Sequence, residues 1–336
     1  RDALVILTPL AEGEGALAQA AGSALEAVQG RLALIDIAQN VFFGLSLGSV
    51  LLLAAIGLAV TFGVMGVINM AHGEMVMLGA YTTFMVQQLL RDHAPALFDL
   101  SLLIALPAAF LVAGLVGVAI ERGVIRFLYG RPLETLLATW GVSLILQQGV
   151  RTLFGASNRE VSSPSWMSGT IDVFGASLTV NRLVIILFAM AVLAGLMLSR
   201  SAFGRWLYAS GGNERAAELS GVPTRLVKIT VYTISGALAA IAGLVLSSQL
   251  TSAGPTAGTT YELTAIAAVV IGGAALTGGR GGVRGTMLGA FVIGFLSAGL
   301  VIIGVSSYWQ TVFTGAVIVL AVLMNSIQYG RGGRKS

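Results

Sequence analysis

Residues 200–228 read RSAFGRWLYASGGNERAAELSGVPTRLVK. This is the long charged loop of an otherwise apolar chain, and its reading decides the rest. Asn213 is a natural helix N-cap, Glu214 to Leu219 suit a helix, and Gly221 is placed to end it, with Pro223 just beyond. The expectation is a helix of about two turns, capped at both ends, on a basic knob between two apolar stretches. Gly211, Gly212, Asn213, Glu214, Arg215, Ala216, Ala217, Glu218 and Gly221 form the first candidate site, a stub shaped to enter the groove of a partner. The plainer alternative is an ordinary connecting helix.

Composition places this knob on a membrane protein. The 336 residues are 56% hydrophobic and 10% charged, with a mean hydropathy of +0.89. Soluble domains carry about 25% charged residues. The 44 glycines suit close helix–helix approach in lipid. With no cysteine, disulfides, thiolate metal sites and cysteine nucleophiles are excluded. The net charge of +4 is spread between apolar stretches, which fits loops at a membrane surface and not nucleic-acid binding. No signal peptide is legible at the start.

A crossing helix needs about 20 mostly apolar residues. Nine segments qualify as expectations: 41–65, 75–90, 100–120, 133–153, 183–199, 227–250, 263–276, 286–304 and 309–326. Two of them, 75–90 and 263–276, are short enough to be tilted, broken or re-entrant. The fold class expected is therefore all-α, a polytopic transmembrane bundle of about nine or ten spans. Arginine and lysine group 121–131, 200–228, 278–285 and the basic tail 330–336 on one side, the cytoplasmic one. That puts 91–100, 151–181 and 251–261 outside, with Arg151, Arg159 and Arg182 as exceptions. The N-terminus falls outside and the C-terminus in the cytoplasm. Residues 1–40 form an extracytoplasmic segment, with 11–29 an amphipathic helix, the remnant of a larger outside domain or a loose leader, and 41–329 the membrane domain. A faint echo links Met77–Ala80 to Met287–Ala290, both reading Met-Leu-Gly-Ala.

The second candidate site is Asn69-Met70-Ala71-His72-Gly73-Glu74, where an imidazole and a carboxylate fall at the junction of two apolar segments. Ionisable groups at membrane depth are costly and tend to be functional. Asn69, His72 and Glu74 are read as lining a solute path; an interfacial turn facing water is the alternative. No metal site is expected, since two ligands do not make one. Residues 272–289, GGAALTGGRGGVRGTMLG, are rich in glycine but lack the Gly-Lys-Ser/Thr of a phosphate loop, so Arg280 and Arg284 are left for lipid or a partner. The loop 151–181, with Ser-Pro-Ser-Trp at 163–166, is either a docking surface for a delivery protein or a lid. No nucleophile–base pair appears, which removes an intramembrane enzyme. The spans hold almost no charge, which speaks against a stand-alone ion-coupled carrier or channel.

These residues carry a double resemblance. GLSLGSVLLLAAIGLAVTFGVMGVINMAHGEMVMLGAYTTF (44–84) and VSSPSWMSG (161–169) resemble permeases of bacterial urea and branched-chain amino-acid ABC importers, over residues 41–199. GRWLYASGGNERAAELSGV (204–222), PTAGTTYELTAIAAVVIGGAALTGGRGGVRGT (255–286) and GVSSYWQ (304–310) resemble ribose and monosaccharide ABC permeases, over 204–326. Both groups are one superfamily, so the chain looks like a chimera joined near 199–205. The resemblance implies a bacterial inner-membrane permease subunit with no cofactor and no ATPase site of its own. Its implied partners are a cytoplasmic ABC ATPase dimer that binds the ATP, a second permease copy or paralogue, an extracytoplasmic solute-binding protein and the lipid bilayer. Residues 211–221 would contact the ATPase. The expected solute is urea or a branched-chain amino acid, with ribose or another monosaccharide as the alternative.

Overall fold

The computed structural model describes residues 2–13, 15–173, 175–198, 202–274 and 281–332. Among the described residues the chain is all-α apart from four short strands. Helix α1 (Asp2–Ala11) folds back on the start of α2 (Ala16–Leu58). At 43 residues, α2 is about 65 Å long. It runs through residues 16–29 and across residue 40 without a break, so the early polar stretch is helical and continuous with the first span. A π-helical turn, Ala59–Val64, ends this run. An unwound stretch, 65–71, leads to α3 (His72–His93), followed by α4 (Ser101–Gly123) and α5 (Pro132–Phe154).

Strand β1 (Arg159–Glu160) and the hairpin of β2 (Thr170–Val173) and β3 (Ala176–Thr179) precede α6 (Val180–Leu198). The knob holds α7 (Ala202–Gly212) and α8 (Glu214–Leu219). After α9 (Thr224–Leu250) and β4 (Ser252–Ala253) come α10 (Tyr261–Ile271), α11 (Val283–Ile302) and α12 (Ser307–Gly332). Each expected span has its helix.

Among the described residues, four helical runs are long and apolar enough to cross a membrane: Leu17–Val64, Pro95–Phe127, Thr224–Leu250 and Val283–Ile302. Val180–Leu193, Tyr261–Ile271 and Tyr308–Met324 are shorter apolar helices. With eleven residues, α10 is about 16 Å long, half the hydrocarbon thickness. The segment expected at 263–276 is therefore a half-helix ending at Ile271. The junction at 199–201, Arg200, Arg280 and the tail residues Arg334 and Lys335 lie outside the described residues, and the Arg331 side chain is not described.

Helix α9 is the axis of the bundle. It packs against α2, α3 and α4, while α2 packs on its other flank against α10 and α11. Buried small residues, Gly236, Ala239, Ala240, Ala242 and Gly243, let neighbours approach α9 closely. The tightest crossing is with α3. Gly79 lies on the carbonyl of Ala240, and Gly243 lies on the carbonyl of Val76. The Met-Leu-Gly-Ala echo has a packing meaning, since Gly289 of α11 sits on the Ala268 carbonyl of α10 in the same manner.

The polar connections gather at two ends. At one end the Tyr208 hydroxyl donates to the Gly281 carbonyl at 2.7 Å, and Gly211 rests on the carbonyl of Val64. At the other, Gln87 of α3 donates to the Ser162 carbonyl at 2.7 Å and accepts from the Ser162 N–H at 2.9 Å. The Ser165 N–H there donates to Asp99 at 2.8 Å, Asn181 donates to the Ser248 carbonyl at 3.0 Å, and β1 pairs with β4. This is the two-sided grouping of loops that the basic residues imply. Two of the exceptional arginines are accounted for locally. Arg159 donates to the Phe154 carbonyl at the end of α5, and the Arg182 guanidinium stacks 4.1 Å from the Phe43 ring centre.

Replacing Gly79 by Leu drives a side chain into the α9 backbone. The expected loss is about 1–3 kcal/mol of stability from overpacking, read as a lower thermal midpoint of the purified protein in detergent. Gly149→Leu, at an open position of α5, should leave that midpoint unchanged.

Candidate functional site

Two places carry the polar chemistry of this bundle: the knob at one end and a junction of two helix starts inside it.

At the knob, α8 forms as the sequence expects. The Asn213 side chain accepts from the Ala216 N–H at 3.0 Å, and Gly221 takes φ 83°, a left-handed value that glycine adopts without strain. Ala217 is the buried residue of the stub. Gly212, Asn213, Arg215, Ala216, Glu218 and Leu219 are exposed, and Leu219 is 86% so. Gly211 ends α7 against the π-helical turn, where a side chain at this position would strike the Val64 carbonyl.

Two side chains tie the stub down. Glu218 accepts from the Thr224 hydroxyl at 2.7 Å, and Glu214 pairs with the ammonium of Lys228. Lys228 is buried in the first turns of α9, where a cation opposes the helix dipole. Glu214 and the Tyr129 ring, 3.6 Å below the ammonium, offset that cost. Burial, reinforced by the neighbouring Tyr232 and Glu121, pushes the Tyr129 phenol well above its ordinary value, so it stays protonated and donates to Glu121 at 3.3 Å. One chain of contacts thus joins α8, α9, the α4–α5 connection and α4. Beside it lies a cavity of about 260 Å³ bounded by Met65, Gly66, Tyr129, Thr135, Gly211 and Lys228.

Inside the bundle, Asn69, His72 and Glu74 are all buried. Asn69 is structural: its side-chain oxygen accepts from the Ala71 N–H at 3.1 Å and its carbonyl accepts from the His72 N–H at 3.3 Å, which turns the chain into α3. His72 lies on α2, where Gly57 leaves room for the ring, with Nε2 2.9 Å from the Ala54 carbonyl. A carbonyl only accepts, so Nε2 carries the proton, and Nδ1 is buried without a partner. Glu74 takes a hydrogen bond from Ser143 of α5 and keeps Oε2 unpartnered.

The start of α10 meets this point. Gly73 and Gly258 press their backbones together, and the Glu262 carboxylate lies against Gly73. In the sequence Glu262 falls near the start of the segment 263–276 and carries no local signal of a site. Lys228 and Tyr129 carry no such signal either, whereas Thr135, Thr139, Ser143 and Gln147 recur every fourth residue along α5. That spacing was available in the sequence as a helical stripe. Among the described residues no group of His, Asp and Glu is arranged to hold a metal.

The long apolar helices define a multi-pass membrane protein. The family model for the branched-chain amino acid transport system permease component matches residues 40–322, and the chain belongs to that family. It is 36% identical to the ribose import permease of Escherichia coli (strain K12) over 287 residues, 85% of each chain. Over 134 residues it is 51% identical to the ribose import permease of Bacillus subtilis (strain 168), covering 40% of this chain and 42% of that one. Over 143 residues it is 46% identical to the xylose transport permease of Escherichia coli (strain K12), covering 42% and 36%. No solved structure matches it. An alignment of 287 residues is more than twice the length of 204–326, so likeness to the ribose permease extends well beyond that part of the chain. The similar proteins named here are sugar permeases, so they favour the monosaccharide alternative over urea or an amino acid.

Removing the Lys228 charge releases the stub without touching its caps. Lys228→Met should speed tryptic cleavage after Arg215 several-fold in the detergent-solubilised protein, with the thermal midpoint little changed. Leu219→Ala should leave the cleavage rate as it was.

Proposed function

We propose that this chain is the permease subunit of a bacterial ABC importer for a pentose or similar monosaccharide. In this reading separate ATPase subunits bind the ATP, an extracytoplasmic binding protein delivers the sugar, and a second permease copy or paralogue completes the pore. The permease supplies no ATPase chemistry and needs no cofactor. The observation that carries the reading is the exposed, doubly capped α8 with Leu219 bare at its tip, anchored by Lys228 to α9 and, through Gly211 of α7, to the π-helical turn. An apolar side chain held out on a rigid stub suits a groove on a soluble partner. Gly211–Gly221 is then the ATPase-coupling segment, in the cytoplasm with the C-terminus, and the N-terminal helices lie outside. The solute path runs at the level of Asn69, His72 and Glu74.

The connection from stub to path is physical and short. Movement of α8 acts on the π-helical turn through Gly211 and on α9 through Lys228. The turn leads directly into the unwound 65–71 and so to His72 and Glu74. Urea or a branched-chain amino acid remains the second reading, supported by the residues of 44–84.

Co-expression of the chain with ribose-type or urea-type ATPase and binding protein, in cells lacking their own carriers, tests this. Labelled ribose or xylose uptake is expected with the first set, and Leu219→Asp should abolish it at unchanged membrane abundance. Urea or leucine uptake with the second set alone would sink the monosaccharide reading.

A further inference from the structure

Two non-helical stretches enter the bundle, one from each end, and meet. Residues 65–71 leave the π-helical turn at the knob end and return to the level of Ala54, where His72 is bonded. Residues 254–260 leave β4 at the opposite end. Thr251 and Thr260, at φ 50° and 70°, hold left-handed values that are strained for a β-branched residue. The stretches touch through Gly73 and Gly258, each carbonyl against the other glycine. Helices α3 and α10 both begin there, so two helix N-termini face one point, each with a glutamate in its first turn. The carboxylates of Glu74 and Glu262 are near enough to feel each other's charge. Three buried polar atoms at this point lack partners: His72 Nδ1, Glu74 Oε2 and Glu262 Oε2. His72 is 1% exposed and Glu74 5%. Unpaired buried acceptors cost stability unless a ligand or water satisfies them in another state.

A polar stripe links this point to the knob end. Thr135, at the rim of the 260 Å³ cavity, is followed at helical spacing by Thr139, Ser143 and Gln147. The Thr139 hydroxyl accepts from the Met70 N–H at 3.1 Å, Ser143 bonds Glu74, and Gln147 donates to the Thr259 hydroxyl at 3.2 Å. The stripe thus touches both unwound stretches. Its helix turns Leu133, Leu137, Trp140, Leu144 and Ile145 outward. The cavity volume equals roughly eight or nine waters, ample for a small solute at the mouth of the stripe.

We propose that a neutral polyhydroxylated solute travels along the polar stripe of α5 and is selected at the closed Gly73–Gly258 junction, where Glu74 and Glu262 accept hydrogen bonds from its hydroxyls. This rests on the importer reading above. It assigns the two carboxylates to solute contact and leaves Asn69 and His72 to shape the turn. The closed glycine contact is the seal, and a solute passes only when α3 and α10 part. An apolar solute has nothing to offer the unpaired acceptors, whereas each sugar hydroxyl can donate to one.

The chain has no cysteine, so single cysteines report without background. In the full chain, reconstituted with the ribose-type ATPase and binding protein, Thr135→Cys, Ser143→Cys and Gln147→Cys are treated with a charged thiol reagent. Gln147→Cys, half-buried beside the exposed Thr259, should label at rest, and Thr135→Cys and Ser143→Cys, both buried, only during ATP turnover, with xylose or ribose slowing the reaction. Leu144→Cys and Ile145→Cys should not react. Glu74→Gln and Glu262→Gln should each raise the solute KM by about tenfold, the cost of one charge-assisted hydrogen bond. Both variants should keep the parent's thermal midpoint in detergent, which a merely misfolded variant would not show. Unprotected labelling, equal labelling of Leu144→Cys, or a KM within about twofold of the parent overturns the site. If the parent protein moves only urea or leucine, the monosaccharide reading fails, and the labelling pattern still decides whether the stripe is the path.

Discussion

In hydrocarbon every backbone N–H and C=O must find a partner within the protein, and this constraint organises the whole bundle. Helices meet it alone. The unwound stretch at 65–71 cannot, so it must be covered by neighbours, whereas 254–260 keeps Thr256, Thr259 and Thr260 exposed. Helix α9, lined with glycine and alanine, brings α2, α3 and α4 close enough to provide that cover. Asn69 and Thr139 then supply local partners for backbone that has left the helical ladder. Without the close approach at Gly79 and Gly243, the broken helices could not lie so deep in the bundle.

The same constraint separates the two sites. The knob stands outside the apolar bundle, so α8 can expose a leucine and most of its polar groups to a partner. Its attachment is electrostatic: a lysine placed against its own helix dipole is held by Glu214 and by the face of Tyr129. Inside the bundle the chemistry is the reverse. Acceptors lacking donors are kept at two helix starts, where the N-terminal dipoles stabilise negative charge. The connection between the sites is the six-residue π-helical turn, which contacts the knob at Gly211 and continues into the stretch that ends at His72.

Much of the fold was legible because periodicity and composition fix a membrane helix locally. The nine expected segments each coincide with a helix, and the caps of α8 were readable from Asn213 and Gly221 alone. The likeness to sugar permeases also bears on the solute: the urea-like residues at 44–84 sit in α2 and α3, where they close helix crossings and shape the turn before α3. Such residues report on the fold shared by the superfamily more than on the solute.

The sequence by itself determined the class of protein, the helices and the capped stub, because each depends on neighbours a few residues apart. Tertiary structure alone decided that α10 stops after eleven residues, that Gly73 meets Gly258 across 185 positions, and that Glu262 joins Glu74. It also decided that Lys228 reaches back to Glu214 and Tyr129. These facts depend on how closely α9 admits its neighbours, and no local pattern encodes that distance.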